Sequence, residues 1–202
     1  MNFAAWFLAS YLVGAFPTSY LVGRWIGKKD LRKHGSKNLG ATNVYRVLGL
    51  KYAIPVALLD IGKGVVPVAV FSRFAGNDEW IPVTLGAIAV FGHVFSVFVR
   101  FRGGKGVATA CGAVLALAPA ALGVSAIVWL GALLATRYMS VASILGALVF
   151  PVAAWFLVPD DAYVLGVGTL LVVFILFTHR TNIRRLAMGT ENRLGSRKDV
   201  SP

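Results

Sequence analysis

The chain has 202 residues, of which 57% are hydrophobic and 14% are charged, and its mean hydropathy is +0.74. Soluble domains carry about 25% charged residues, so this composition excludes an ordinary soluble domain and predicts an integral membrane protein. The single cysteine, Cys111, excludes an intramolecular disulfide, and we expect it to be a small apolar residue on a membrane helix. The formal net charge of +12 is typical, in a membrane protein, of cytoplasmic loops and anionic ligands.

Charge-free apolar runs alternate with short charged connections and predict about seven helical crossings. In chain order, the predicted crossings are residues 3–24, 52–72 and 80–99, two short helices within 107–136, and residues 140–158 and 162–178. The first run lacks the positive segment of a cleavable signal peptide. The positive-inside rule places the cationic connections in the cytoplasm and the acidic turns at 77–79 and 159–161 outside. The amino terminus is then outside and the carboxyl terminus cytoplasmic.

Residues 107–136 must begin and end on the cytoplasmic side, because basic residues flank them. We therefore expect two helices of roughly 14 residues hinged near Pro119–Gly123, since proline breaks helices and glycine allows a turn. Five or six spans is the alternative count. The predicted fold is an all-α integral membrane protein of about seven transmembrane helices, two of them short. It forms a single domain over residues 1–202, with the active site at the cytoplasmic face.

Three segments on the predicted cytoplasmic side are rich in glycine, polar and cationic residues. We name them motif 1, residues 34–49, motif 2, residues 92–109, and motif 3, residues 178–191. They are expected in loops at 28–51, 100–106 and 179–202. These loops are too short to fold alone, so the motifs indicate a site built on the membrane helices.

Motifs 1 and 2 have the residue types of an oxyanion cradle. Glycines permit positive φ and let backbone N–H groups approach an anion; they are Gly35, Gly40, Gly103, Gly104 and Gly106. The neutral hydrogen-bonding side chains are Ser36, Asn38, Thr42 and Asn43. Arg46 and Lys105 add permanent charge, and arginine can hold a phosphate with two parallel hydrogen bonds. A helix expected to begin near Val107 places its positive end beside Lys105, which predicts a phosphate ligand there.

The three histidines differ in their expected roles. His34 is interpreted as a loop histidine, and His93 as a hydrogen-bonded packing residue at the end of an apolar helix. His179 stands at a membrane exit, one residue before Arg180 and three before Asn182, which favours a role in the site. An imidazole titrates near neutral pH, so His179 is also a candidate base.

Other charged residues have structural alternatives. Arg100 and Arg102 are interpreted as interface anchors whose charged ends reach the headgroups. Asp60 and Lys63 lie in mid-membrane three residues apart, so we expect them to pair or to face a polar interior. Glu191 either orients a basic partner or lies in a solvated tail, and both alternatives stay open.

Several familiar motifs are absent from the sequence. There is no GxxxxGK[ST] phosphate loop, no HExxH or Cys/His metal pattern and no GxSxG nucleophile turn. We therefore expect no metal and no cofactor. His-x4-Asp, the pattern of acyl-thioester-dependent glycerolipid acyltransferases, fails at all three histidines, which favours a different acyl donor.

Taken together and in order, the motifs closely resemble those of the bacterial acylphosphate:glycerol-3-phosphate acyltransferase (PlsY) family. The matching residues are 35–43 with Arg46 for the pattern GSxNxGATNxxR, 92–93 and 103–109 for the second pattern, and 179–191 for HRxNIxRLxxGxE. Three long motifs in order are a specific signal, and the resemblance covers essentially the whole chain. Lys37 departs from the pattern, because glycine is common at its position.

The resemblance implies transfer of an acyl group from acyl phosphate to the 1-hydroxyl of glycerol 3-phosphate, giving lysophosphatidate and phosphate. This would be the first step of phospholipid synthesis in the bacterial cytoplasmic (inner) membrane. Its partners would be both substrates and membrane lipid, without nucleic acid, and the enzyme that makes acyl phosphate. The expected catalytic residues are Ser36, Arg46, Lys105, His179 and Asn182. The expected substrate- or phosphate-binding residues are Gly35, Asn38, Gly40, Thr42, Asn43, Gly103, Gly104, Gly106, Arg180 and Glu191.

Alternatives stay open for both mechanism and function. By resemblance, a substrate phosphate oxygen takes the hydroxyl proton, while His179 as base is the competing hypothesis. Acylation of Ser36 is less favoured, because no base lies near it in sequence. A transporter of organic phosphates would also have short broken helices and a positive mouth. A lipid-binding scaffold would explain interface arginines but not the GGKG run.

Overall fold

The computed structural model describes residues 3–195, and all regular secondary structure within that range is helical. The predicted all-α class is therefore confirmed. Lipid offers no hydrogen-bonding partners to the backbone, so an apolar chain pairs its N–H and C=O groups within helices. The last part of the predicted loop 179–202, from residue 196 onward, lies outside the described residues.

Two compact units divide the chain, Met1–Leu117 and Ala118–Pro202. The helices of the first unit are α1 Phe3–Ala15, α2 Thr18–Leu21, α3 Ala41–Leu48, α4 Leu50–Val66, α5 Ser72–Ala75, α6 Trp80–Val94 and α7 Val107–Leu117. Wider turns continue α2 over Val22–Ile26 and α4 over Pro67–Phe71, and a 3-10 turn covers Val97–Val99. The helices of the second unit are α8 Pro119–Thr136, α9 Met139–Leu157, α10 Ala162–Thr178 and α11 Arg180–Ala187. The single domain predicted over residues 1–202 stays a prediction.

Five helical stretches within the described residues are long and apolar enough to cross a membrane. They are Phe3–Ile26, Leu50–Ala75, Trp80–Val99, Pro119–Thr136 and Met139–Leu157. A sixth is added if α10 and α11, which are bent by 57° at their junction, count as one span. The polytopic helical membrane fold is confirmed, whereas the predicted count of about seven spans and their orientation stay predictions.

The predicted hinge is present, but the helices on its two sides are unequal. The helical backbone breaks at Ala118 (φ −143°, ψ 69°), and Pro119 opens α8. Proline suits this position, where its missing N–H has no helical partner to lose. The prediction of two equally short helices was wrong: α7 has 11 residues and α8 has 18. Gly123 lies inside α8, because glycine costs a helix only about 1 kcal/mol.

The predicted loops of motifs 1 and 3 contain two short helices, α3 and α11, which corrects the loop assignment. The reason for α3 is its helical apolar spacing. Val44, Val47 and Leu48 lie on one side and pack with Leu31 and Leu39 in a buried cluster. Motif 1 is therefore fixed to the core of the first unit.

Glycine allows close helix packing in the first unit, where α1 packs against α6 and α4 against α7. A methyl group on Gly14 would overlap the backbone of Ala89, and one on Gly64 would overlap the backbone of Thr109. Small residues let membrane helices approach to backbone contact. In the second unit, α8 packs against α9 and α9 against α10.

Asp60 and Lys63 form the buried pair that the sequence predicts. Lys63 Nζ lies 2.6 Å from Asp60 Oδ1, and the two side chains are 6% and 1% exposed. The Thr18 hydroxyl donates to the same aspartate oxygen. Lys63 also donates to Thr18 Oγ1 at 2.9 Å and to the carbonyl of Phe16 at 2.6 Å. These contacts supply the partners that charges in a membrane interior require.

Candidate active site

Motif 1 is organised around one buried amide side chain, Asn43, which is 1% exposed and lies in the first turn of α3. Its Oδ1 accepts a hydrogen bond from the backbone N–H of Ser36 at 2.7 Å. Its Nδ2 donates to the carbonyls of Leu31, His34 and Asn38 at 3.1, 3.2 and 2.9 Å. Because an amide both donates and accepts, this side chain fixes several points of the loop at once. The expected contact between Asn43 and substrate stays a prediction.

The turn that carries Ser36 has left-handed backbone on both sides of it. Gly35 has φ +58°, and a methyl group there would overlap Asn43 Oδ1, so both conformation and space require glycine. Lys37 has φ +62°, which costs a non-glycine residue about 1–2 kcal/mol. Gly40 is extended instead, with φ −147°, and precedes α3 as its cap. Among the motif 1 glycines predicted to need conformational freedom, Gly35 therefore uses it and Gly40 does not.

Motif 2 folds its adjacent glycines onto the end of α6. The N–H of Gly103 donates to the Val94 carbonyl at 2.9 Å, and the N–H of Gly104 donates to the His93 carbonyl at 3.1 Å. Both N–H groups thus have acceptors within the protein, and their expected use as anion ligands stays a prediction. Gly106 has φ +85°, whereas neither Gly103 nor Gly104 has a positive φ. A different property, close packing, explains this glycine pair.

Motifs 1 and 2 meet in the first unit. A methyl group on Gly104 would lie 2.7 Å from the Leu39 carbonyl oxygen, so the two loops are in backbone contact there. Lys105 follows this contact directly and is partly buried, as is Arg46 on α3. As predicted, α7 begins at Val107. The loop that carries Lys105 is therefore held against motif 1, and Thr42 lies on α3 in the same segment.

Motif 3 begins at the junction of α10 and α11, where His179 is 2% exposed. Its Nδ1 lies 2.9 Å from the carbonyl oxygen of Ile175. A carbonyl oxygen can only accept, so Nδ1 carries the ring proton in this contact. In a neutral ring, Nε2 is then the nitrogen that can accept a proton.

Asn182, near the start of α11, is held by the carboxylate of Glu191. Its Nδ2 donates to Glu191 Oε1 at 2.6 Å, and the Ser140 hydroxyl donates to the same oxygen at 3.1 Å. Arg185 Nε lies 3.2 Å from Glu191 Oε2, and the glutamate side chain is 5% exposed. Of the two alternatives for Glu191, the structure supports the orientation of a basic partner. Its expected role among the substrate- or phosphate-binding residues stays a prediction.

Four cations of motifs 2 and 3 are exposed: Arg100, Arg102, Arg180 and Arg184. Arg180 Nη1 donates to the Phe177 carbonyl at 2.9 Å, and its guanidinium lies 4.3 Å from the centroid of the Phe177 ring. Arginine over an aromatic face is common at membrane interfaces and stabilises modestly. The expected phosphate contact of Arg180 stays a prediction.

The predicted catalytic residues fall into two groups, one in each unit. The first unit contains Ser36, Arg46 and Lys105, and the second contains His179 and Asn182. The structure orders each group within its own unit. Among residues 3–195, no three His, Cys, Asp or Glu side chains gather as a metal site would require.

Two positioning contacts could not be found in the sequence motifs. Ser140 lies at the start of α9, and no local pattern connects it with Glu191. His93 was expected to be a hydrogen-bonded packing residue; its burial is confirmed, and its hydrogen bond stays a prediction. No sequence pattern connects its ring with Gly104, against which it lies. His34 is exposed, as expected of a loop histidine, and its Nδ1 lies 3.1 Å from the Asp30 carbonyl.

The fold and the motifs define a multi-pass helical membrane protein whose polar segments carry glycine turns, cations and one oriented histidine. A family model for glycerol-3-phosphate acyltransferases matches residues 4–189. The chain therefore belongs to the glycerol-3-phosphate acyltransferase family.

Relatives and solved structures agree with this assignment. A glycerol-3-phosphate acyltransferase of Fusobacterium nucleatum is 38% identical over 96% of this chain and 98% of its own length. One of Halalkalibacterium halodurans is 40% identical over 96% of each chain. The crystal structure of PlsY (YgiH), an integral membrane glycerol 3-phosphate acyltransferase, in its glycerol 3-phosphate form has a TM-score of 0.90 at 37% identity over 96% of both chains. Its lysophosphatidic acid form has a TM-score of 0.86 at 36% identity over 99% of both chains.

Proposed function

We propose that this protein transfers an acyl group from acyl phosphate to the 1-hydroxyl of glycerol 3-phosphate, releasing lysophosphatidate and inorganic phosphate. The observation that carries the proposal is the backbone contact between Gly104 of motif 2 and Leu39 of motif 1, which holds the Lys105 loop against motif 1. It occurs in a chain that is similar throughout its length to an acyltransferase solved in glycerol 3-phosphate and lysophosphatidic acid forms. The reaction would take place at the cytoplasmic face of a bacterial inner membrane.

Glycerol 3-phosphate is a phosphate monoester and acyl phosphate is a mixed anhydride, so both substrates are anions. Their site therefore needs positive charge. Arg46 and Lys105 are the partly buried cations of motifs 1 and 2. They would balance the repulsion between two anions and hold them in reacting geometry. A partly buried cation is worth more to such an anion than an exposed one, because the local dielectric is lower.

The chemistry needs no covalent enzyme intermediate. The 1-hydroxyl oxygen of glycerol 3-phosphate attacks the acyl carbonyl carbon, an ester bond forms, and the bond between that carbon and the phosphate oxygen breaks. Phosphate leaves with the bonding electrons. The hydroxyl proton goes to a phosphate oxygen of the donor or to His179 Nε2. Ser36 is assigned to hydrogen bonding with substrate.

The contact between His179 Nδ1 and a carbonyl oxygen favours the tautomer that either role would need. Its Nδ1–H donates to the Ile175 carbonyl, which leaves proton acceptance or hydrogen bonding to Nε2. The variant His179→Gln distinguishes hydrogen bonding from base catalysis, because glutamine can still form hydrogen bonds but cannot act as a base. Turnover close to wild type supports the substrate phosphate as proton acceptor, and loss of at least about 100-fold supports His179 as base.

The test of the donor is a metal-free assay of purified protein with glycerol 3-phosphate and either palmitoyl phosphate or palmitoyl-CoA. We expect equal amounts of phosphate and lysophosphatidate from palmitoyl phosphate, and no lipid product from the thioester. Phosphate without lipid would contradict the proposal in favour of hydrolysis. Radiolabelled glycerol 3-phosphate that crosses a vesicle membrane unchanged would contradict it in favour of transport. The same acylphosphate requirement makes the enzyme that forms acyl phosphate the functional partner.

A further inference from the structure

We infer that His93 is a positioning residue, and that its imidazole sets the place of the Gly103–Gly104–Lys105 loop. The inference rests on the proposed function, because it assigns the Lys105 loop to substrate phosphate. His93 would not itself touch substrate. It would act through the two glycines that pack on it.

The first observation is the packing of the glycine pair. Gly103 meets the backbone of His93, since a methyl group there would overlap the His93 carbonyl. Gly104 meets the side chain, since a methyl group there would overlap Nε2 of the imidazole. Neither glycine has a positive φ, so conformational freedom does not explain them. The limited space beside the imidazole explains why glycine is required at these positions.

The second observation is that a buried ion pair lies near the other ring nitrogen of the imidazole. His93 is 7% exposed, and its Nδ1 lies 3.9 Å from Asp60 Oδ1. That oxygen also faces Lys63 Nζ at 2.6 Å and accepts from the Thr18 hydroxyl. The ring therefore faces the carboxylate of Asp60 on α4, and that carboxylate is in turn held by Lys63 on α4 and Thr18 on α2.

These contacts form a continuous path from a buried ion pair to the catalytic loop. It runs from Lys63 and Asp60 on α4, through the His93 ring on α6, to Gly104 and then Lys105. Groups that are buried and ionic inside a membrane are costly and usually serve a site. Here they would fix the ring, and the ring would fix the loop. A displacement of about 1 Å at such a loop can cost roughly 100-fold in rate.

The first experiment measures coupling between the ring and each glycine. Gly104→Ala and Gly103→Ala are made in the wild-type protein and in His93→Ala, and kcat/KM is measured with both substrates. We expect Gly104→Ala to cost at least about 100-fold in wild type and at least about 5-fold less in His93→Ala, where the ring is gone. Some loss remains, because the Leu39 carbonyl is also close to Gly104.

Gly103→Ala is the matched control, because its methyl group would meet the His93 carbonyl, which every residue at position 93 retains. Its cost should be the same in both backgrounds. Equal costs of Gly104→Ala in both backgrounds would overturn the inference, since the ring would then not determine the loop.

The second experiment separates positioning from chemistry and from folding. Calorimetry with glycerol 3-phosphate should show a Kd at least about 10-fold higher for His93→Ala, and a smaller rise for His93→Gln, which refills part of the space. His34→Gln, at an exposed loop histidine, should leave Kd unchanged. An unchanged Kd with a lower kcat in His93→Ala would overturn the inference. If His93→Ala does not fold, His93→Gln carries the test.

Binding without turnover distinguishes this inference from the proposed function. If wild-type protein binds glycerol 3-phosphate but forms no lipid from acyl phosphate, the proposed function fails. The Kd series then still decides whether His93 positions the loop.

Discussion

The two units order their polar motifs by different means. In the first unit, glycine-rich loops are fixed through their backbones, by the Asn43 amide and by packing on His93. In the second, side chains are fixed by side chains and one carbonyl: Asn182 by Glu191, and His179 by Ile175. We therefore expect the first unit to be destabilised most by added side-chain volume or by a lost hydrogen-bond donor. We expect the second unit to be destabilised most by a changed side-chain charge.

The largest effect is expected from Asn43→Asp, which keeps the shape of the side chain but removes its N–H donors. The carbonyls of Leu31, His34 and Asn38 would lose their donor and face an anion. Each unsatisfied buried group costs about 1–3 kcal/mol, so we expect a loss of about 3 kcal/mol or more in unfolding free energy. Unfolding in detergent and acyl transfer are the measurements.

The matched control for Asn43→Asp is Asn77→Asp, at an exposed connection of the same unit. It adds the same charge without removing a buried hydrogen bond. Equal stability of the two variants would contradict this prediction, because it would show that the Asn43 amide does not organise motif 1.

The next effect is expected from Glu191→Gln in the second unit. Glutamine can still accept from Asn182, but it loses the ion pair with Arg185. Because the Glu191 side chain is 5% exposed, removing its charge leaves Arg185 without its counter-charge, and kcat/KM should fall about 10- to 100-fold. Glu79→Gln, at an exposed glutamate, should have no effect. Activity within about 2-fold of wild type for Glu191→Gln would show that charge is not what orders motif 3.

A smaller effect of opposite sign is expected from Lys37→Gly in the Ser36 turn. Lys37 has a left-handed backbone at φ +62°, and glycine would remove this strain. Relief of about 1–2 kcal/mol, less the entropy cost of glycine, predicts stabilisation by up to about 1 kcal/mol. Lys33→Gly, at an exposed lysine without positive φ, should destabilise instead. If both variants destabilise equally, the turn is not strained at Lys37.

The smallest effect is expected at the partly exposed pair of Asp30 and Arg32, which tests whether side-chain pairing also matters in the first unit. The side-chain hydrogen bond from Arg32 lowers the pKa of Asp30 to about 2. Because the unfolded carboxyl has a pKa of about 3.9, the pair stabilises fully above that pH, and its contribution is lost as the pH falls through the folded pKa of about 2. It should stay below about 1 kcal/mol.

The Asp30 prediction is checked by unfolding wild type and Asp30→Asn between pH 7 and pH 2. The difference in unfolding free energy should be constant above about pH 5 and should be mostly lost by about pH 2. A difference that grows on acidification would contradict the sign.

Much of the fold could be predicted from the sequence, because a membrane span can be recognised from the local run of apolar residues alone. The apolar run predicted at 80–99 matches the span Trp80–Val99, and the run at 140–158 matches Met139–Leu157 within a residue. The lengths of α7 and α8 could not be predicted. They depend on whether Ala118 or Gly123 breaks the helix, a choice of about 1 kcal/mol.

The candidate site was predictable in residue types but not in contacts. Glycines, cations and the histidine of motif 3 stand in local patterns, so their segments were found. The ring of His93 against Gly104, and Ser140 against Glu191, join residues that are distant in sequence. These contacts depend on how the helices pack against one another, which a local sequence pattern does not predict.

The most direct test of the central claim is calorimetric binding of glycerol 3-phosphate to wild type, Lys105→Ala and Arg102→Ala. Both variants remove one cation from the same loop, but Lys105 is partly buried and Arg102 is exposed. The account predicts that Lys105→Ala weakens binding at least about 100-fold, while Arg102→Ala changes it less than about 3-fold. Equal weakening by both would contradict a defined phosphate contact at Lys105 and leave only general attraction by a positive surface.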